Sequence, residues 1–333
     1  MSYQYALGID LHKNKSTWKL LDSNRSIMWS KTVMCQPESL ELALKQLPVS
    51  SVDLPIVIEP TCGWRWVSRL LEKNNCDVHI ANPYKLRLIA ESKRKTDEED
   101  AKTLAEFLLI GYLPESYMVT DEIEEWRQLV RTRVSIVEAR TKIKNQINSL
   151  LTATRPVSKK QSLPDDLKIQ ELASLIKEQT IHIQTLEKEI KKIVMADPTC
   201  QLLLSVPAVG VVTALSIVAE VGDFSRFKSA DKLASYAGLV PSQRSSGETV
   251  RYGHIVKTGS KLLRTTLIET AMRFRPKYDT RLNTWFERVK RDRGAMRART
   301  ALAHKLLTIM WSMVKNNKLF LSSCDTVKSG DLV

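Results

Sequence analysis

YQYALGIDLHKNKSTWKLLDSNRSIMWSKTV, residues 3–33, decides the fold. YQYALGID is apolar and runs into Asp10, STWKLLD follows the turn-like HKNK, and SIMWSKTV follows the SNR turn. Short apolar, β-branched and aromatic runs between polar turn clusters read as strands. Three of them joined this tightly make an antiparallel meander. PESLELALKQL then carries apolar residues at helical spacing, and LPIVIE is a buried strand ending in Glu59. A helix is predicted from Gly63 to about Lys73, followed by the strand DVHIA at 77–81.

Three strands, a helix, a strand, a helix and a strand is the order of a ribonuclease H-like α/β sheet. In that order the ends of the first strand and of the later parallel strand lie side by side. Carboxyl ends of parallel strands are where such sheets place their sites, so Asp10 and Glu59 become neighbours. TDEEDAKTLAEFLLIGYL reads as a helix opened by Thr96 as N-cap, with Glu99 three residues on completing a capping box. Asp97 and Asp100, three apart, project from one face of its first turn. By residues alone these acids could serve only to complement the helix dipole.

Charge gives the four acids a second meaning. The chain of 333 residues has 51 Lys and Arg against 37 Asp and Glu, a formal net charge of +14. Such a chain attracts polyanions, nucleic acid before an anionic membrane surface. Carboxylates would repel phosphate unless a cation sits between them, which suggests Mg²⁺, a hard ion that prefers oxygen ligands. No apolar run reaches the roughly 20 residues that span a bilayer, and MSYQYALGID has no signal layout. Five widely spaced cysteines form neither a zinc pair nor a disulfide framework and read as free thiols.

From Ile123 to Leu151 apolar residues recur at helical spacing, with Arg127, Arg131, Arg133, Arg140, Lys142 and Lys144 on the other face. That face is either solvated surface or a phosphate contact. TRPVSKKQSLPDD is a linker by its prolines and charges. Leu172, Gln179, Leu186 and Ile193 then repeat every seven residues, with Ile176, Ile183 and Ile190 between them. The pattern favours a two-stranded parallel coiled coil joining two chains, with an intramolecular helical hairpin as the alternative. LLLSVPAVGVVTALSIVAEVGDFSRF reads as helix, tight turn, helix, like a helix-hairpin-helix or a plain αα-corner. PSQRSSGETVRYGHIVKTGS is expected as a polar, basic loop before a further helix. LAHKLLTIMWSMV is an apolar core helix.

GIDLHK, the glutamate of IEPTCGW, KTDEEDA, LLLSVPAVGVVTA and YAGLVPSQRSSGETVRYGHIVKTGSKLLRTTLIETA together resemble the IS110-type insertion-sequence transposases. These are also called DEDD transposases and are related to Piv-type DNA invertases. The resemblance implies a RuvC-like, ribonuclease H-fold catalytic domain over 1–155 and a linker and coiled coil over 156–197. It also implies a mainly α transposase domain over 198–325. It further implies that Asp10, Glu59, Asp97 and Asp100 hold Mg²⁺ or Mn²⁺, and that a serine attacks DNA: Ser246, with Ser245 as the alternative. Donor and target DNA would be the substrates and a structured non-coding bridge RNA the guide. Homodimers would assemble into a tetramer in which the serine of one subunit completes the acidic site of another. The setting would be the bacterial cytoplasm, at the nucleoid.

On chemistry alone, a serine hydroxyl is a poor nucleophile until activated, and SSGE by itself could be a polar loop or a helix cap. Arg131, Arg140, Lys144, Arg244, Lys257, Lys261 and Arg264 are the candidate nucleic-acid contacts. His12 is either a DNA contact or an exposed turn residue, and Trp64 and Trp66 are expected in the core. A metal-dependent, structure-specific nuclease of the junction-resolvase kind is the alternative function, since an acidic tetrad needs no serine. A non-catalytic nucleic-acid-binding dimer is the third reading.

Overall fold

The computed structural model describes residues 3–89, 96–154, 166–246, 249–257 and 259–322. The chain divides into two compact units, Met1–Met118 and Val119–Val333.

The first unit is a five-stranded sheet. The meander is β1 (Tyr5–Leu11), β2 (Lys15–Asp22) and β3 (Ile27–Met34), followed by α1 (Pro37–Lys45), β4 (Pro55–Ile58), α2 (Trp64–Lys73) and β5 (Asp77–Ile80). A short helix not read from the sequence, α3 (Pro83–Ile89), comes before α4 (Asp97–Leu109). The strand order is β3-β2-β1-β4-β5, antiparallel through the meander and parallel from β1 to β4 to β5.

Because side chains alternate along a strand, each strand feeds two cores. Leu7, Ile9 and Leu11 of β1, Trp18 and Leu20 of β2, and Ile56 and Ile58 of β4 pack in one cluster with Leu40 and Leu44 of α1 and Val67 and Leu71 of α2. Ala6, Leu21 and Val57 face the other way, against Leu104, Ala105 and Leu108 of α4. Asp10 has the parity of Ala6, and Glu59 that of Val57, so both fall on the α4 side of the sheet. Gly8 lies between Ala6 and Asp10. A Cβ there would overlap the Ala101 carbonyl oxygen and press on Ala105 N at 2.9 Å. The absence of a side chain lets α4 lie directly on β1.

The second unit is helical around one hairpin. It comprises α5 (Asp121–Thr154), α6 (Leu167–Ala196), α7 (Pro198–Leu204), α8 (Val211–Val221) and α9 (Ala230–Tyr236), then β6 (Pro241–Ser246) and β7 (Thr249–Ile255). After them come α10 (Lys261–Arg273), α11 (Thr280–Arg293) and α12 (Ala295–Asn316). Helix α8 is buried from Thr213 to Val221. Val130, Ile190, Leu203, Leu263, Leu267, Leu306 and Met310 close over it. No helix among the described residues is long and apolar enough to cross a membrane.

Packing bears on three expectations. By packing, the compact units divide at 118/119, since Ile123, Trp126 and Val130 of α5 lie on the core around α8. The heptad stripe of α6 is covered by its own chain: Arg133 binds Glu187 at 2.5 Å and Arg140 binds Thr180 at 3.1 Å. Rising numbers on α5 meet falling numbers on α6, so within the chain α6 forms the antiparallel helical hairpin that the sequence left as its alternative. The expected linker falls largely in 155–165, outside the described residues. Third, the PSQRSS…TVRYGHI segment is a β-ribbon, not a loop, with Ser245 opposite Val250 and Ser246 opposite Thr249.

Candidate active site

Register, a glycine and a cap assemble the acidic cluster. The β1–β4 ladder pairs Leu7 with Ile56 and Ile9 with Ile58, and carried one residue further it sets Asp10 beside Glu59. The Thr61 hydroxyl donates to the Leu11 carbonyl, tying the segment after Glu59 to the end of β1. Thr96 caps α4, its hydroxyl accepting from Glu99 N at 3.2 Å. That fixes the first turn, with Asp97 and Asp100, over the same end of the sheet. The acids of this turn also suit the helix dipole.

His12 lies between the two sides. Its Nε2 is 3.2 Å from Asp10 Oδ2 and 3.2 Å from Asp97 Oδ1. The candidate ligand atoms of Asp10, His12 and Asp97 all lie within 4.8 Å of one another. Lys15, across the β1–β2 turn, reaches Asp97 at 3.3 Å. Farther along β2, Lys19 is buried and pairs with Glu98 at 3.0 Å.

The electrostatics follow from this crowding. Asp10 is only 4% exposed. Burial lifts its carboxyl to about 6, with Asp100, Asp97 and Glu59 adding to the rise and His12 opposing it. The other three acids are therefore all within reach of the Asp10 carboxyl's field. Asp97 is held below the ordinary carboxylate range by its hydrogen bonds to His12 and Lys15. Clustered carboxylates with mutual repulsion form an oxygen-rich donor set of the kind that suits a hard divalent cation.

The tight triad differs from the expected tetrad: it includes His12, with Glu59 and Asp100 close by. His12 was left open between a DNA contact and an exposed turn residue. Its signal was its place two residues past Asp10 in a turn that returns toward the helix. Gly8 was missed altogether, though it stands in the same GIDLHK run.

Ser245 and Ser246 end strand β6 in the second unit, with residues 247 and 248 outside the described residues. The base of this ribbon is tightly built. Val256 N bonds the Val240 carbonyl at 2.9 Å. A Cβ on Gly238 would meet Val256 O and an Arg264 guanidinium nitrogen, each at 2.6 Å. One on Gly259 would overlap the Tyr236 carbonyl oxygen. Buried Glu220 braces the same region. It accepts from Arg131 at 2.8 and 3.1 Å and from the Ser260 hydroxyl at 2.8 Å, and Ser260 is the N-cap of α10.

Several expected phosphate contacts are thereby occupied. Arg131 is committed to Glu220, which also holds its guanidinium above the ordinary range. Arg140 is half-buried against Thr180. Arg264 is 9% exposed, with its guanidinium toward the Ala237 carbonyl. A basic helix face cannot tell a guanidinium facing water from one paired within the fold, and here the pairing wins. Lys144, Lys257 and Lys261 are exposed, and Arg244 lies in β6 opposite Arg251. Trp64 packs on the first unit's core, while Trp66 is 37% exposed. The four cysteines among the described residues are free.

Comparison with known proteins matches two stretches of the chain. Residues 7–156 match the DEDD transposase domain of IS110 type, and residues 200–285 match the domain described as transposase of the IS116/IS110/IS902 family. The chain is 26% identical to the transposase for insertion sequence element IS1111A of Coxiella burnetii, over 94% of this chain and 90% of that one. It is 24% identical to the transposase for IS1328 of Yersinia enterocolitica, over 94% and 98% respectively.

Proposed function

The chain belongs to the IS116/IS110/IS902 family of transposases, and from that footing we propose that it cuts and rejoins DNA through a covalent serine intermediate formed at a carboxylate-bound metal site. Asp10, Glu59, Asp97 and Asp100 hold Mg²⁺ or Mn²⁺, and Ser246, or Ser245 beside it, is the nucleophile. The observation that carries the reading is the convergence of the four acids on the α4 side of the sheet, where burial, with Asp100, Asp97 and Glu59 adding to it, raises the Asp10 carboxyl to about 6. When bound, the cation supplies charge neutralisation of the phosphate and acidification of the attacking hydroxyl.

The chain's own residues do the rest. His12 and Lys15 hold Asp10 and Asp97 together before the site is loaded, screening their repulsion. The serine oxygen bonds to the scissile phosphorus while the bond to a deoxyribose oxygen breaks. The serine gives up its proton and the released sugar hydroxyl gains one. One phosphodiester replaces another, so the ends can be resealed without ATP. Close packing at Gly238 and Gly259 fixes where the β6–β7 ribbon leaves the unit, and positioning is the condition for effective attack. A structured non-coding RNA guides the choice of DNA, and chains assemble as dimers and tetramers, as the family resemblance implies.

The test is cleavage of a donor-end substrate with guide RNA. Asp10→Asn and Glu59→Gln are expected to abolish strand cleavage and keep nucleic-acid binding. Replacing Ser245 and Ser246 together by Ala is expected to abolish both cleavage and the protein–DNA adduct. Cutting that survives the double serine change would mean a metal-dependent nuclease instead.

A further inference from the structure

Between Arg281 and Lys305 the chain carries eight basic residues against two acidic ones, Glu287 and Asp292. Most of this stretch lies beyond the matched family span, which ends at residue 285. Helices α11 and α12 meet there at a corner of one residue, Gly294, whose φ of 83° favours glycine. The corner is fixed from beneath by Leu282, Trp285 and Phe286 of α11 and Leu302 of α12, all part of the second unit's core.

Some of the cations are spent within the fold. Lys290 pairs with Glu287 at 2.9 Å, and Lys305 rides over the Trp285 ring at 4.5 Å. Others face water. Arg288, Arg293 and Arg297 are exposed and make no ion pair among the described residues. Among the described residues Arg291 pairs only with its neighbour Asp292, at 3.7 Å with both side chains exposed. Arg288 and Arg291, three apart, share a helix face. Arg293 ends α11, and Arg297 stands in the first turn of α12.

This arrangement costs the isolated protein stability. Like charges crowd one another, and a cation in the first turn of a helix opposes its dipole. That turn has no acid, and Gly294 offers no side-chain cap. An external polyanion removes both penalties. Arginine also meets phosphate bidentately, where lysine acts as a point charge.

We propose that the α11–α12 corner is a docking surface for duplex DNA, gripping the phosphate backbone through Arg288, Arg291, Arg293 and Arg297 without reading sequence. The choice of duplex DNA rests on the family's activity, not on the serine chemistry. The test is binding of the full-length protein to a random-sequence duplex in EDTA, by fluorescence anisotropy from low to moderate KCl. Each phosphate contact contributes roughly 0.9 to the slope of log affinity against log salt. Changing all four arginines to Gln is expected to make that slope shallower by about 2–4 and to weaken binding at least tenfold at about 0.1 M salt. Asp292→Asn, which removes an acid and threatens no packing, is expected to move affinity the opposite way. Unchanged slope and affinity in both variants would overturn the proposal. So would a loss confined to an RNA hairpin of equal length, with duplex binding intact. Neither measurement involves cleavage, so failure of the proposed chemistry leaves it interpretable.

Discussion

Asp10 concentrates the physical conflict of the site. Its carboxyl ends a buried strand among three other acids, and burial is the largest cause of its rise from 3.8 to about 6. The folded protein therefore binds this proton more tightly than the unfolded chain does. The resulting stabilisation is full below about pH 4 and is lost as pH rises through 6. At 1.36 kcal/mol per pH unit, the shift corresponds to about 2–3 kcal/mol. Asp10→Asn stays neutral throughout. In EDTA, urea unfolding at pH 4 and pH 7 should show the variant gaining about 2–3 kcal/mol on the parent across that interval. Saturating Mn²⁺ should narrow the gap, since the cation stabilises the ionised form. A gap that does not change with pH would mean that neither burial nor the neighbouring acids shift Asp10. The acid itself was legible, as the last polar residue of an apolar run. Its burial and the role of His12 were not, because they depend on a helix that arrives more than eighty residues later.

At the scale of elements, α4 is what makes a site of the sheet edge. Its buried stripe, Ala101, Leu104, Ala105 and Leu108, follows helical spacing, and small residues face Gly8. Gly8→Ala puts a methyl into the Ala101 carbonyl, so α4 must lift. Overpacking of this kind costs about 1–3 kcal/mol, and here it also draws Asp97 and Asp100 away from Asp10. Expected are a drop in urea midpoint of that size and at least tenfold weaker Mn²⁺ binding by titration calorimetry. Normal Mn²⁺ affinity would show that close α4 packing does not set the site. The meander and the parallel strands were readable because alternation and short polar turns leave few choices of pairing. The heptad stripe of α6 was readable as a stripe but not as a partnership. Periodicity marks a face to be covered, and α5 of the same chain covers it through pairs such as Arg133–Glu187. The β6–β7 ribbon was hidden because serine, arginine and glycine resemble a loop. What holds it is remote: Gly238, Gly259 and the Glu220–Ser260 bond.

For the whole molecule, the four acids belong to the first compact unit and the serine ribbon to the second. The resemblance ends the first domain at 155, a division by family span; by packing, α5 goes with the second unit, its apolar stripe lying around α8. The acids and the serine can be inactivated separately, since each change is local to its own unit. If the serine of one chain serves the acids of another, an Asp10→Asn chain and a chain with Ser245 and Ser246 both changed to Ala are each dead alone. Mixed in one assembly they complement, because some sites join intact acids to an intact serine. With random mixing at equal amounts, that holds for roughly a quarter of the sites, by the symmetry of homo-oligomers. Co-expressed variants should then recover strand exchange to about that fraction of the parent, with the DNA adduct found by mass spectrometry only on the Asp10→Asn chain. If each site is built within one chain, no mixture recovers activity and no adduct forms. An adduct on the serine-deficient chain would instead assign the nucleophile to another residue.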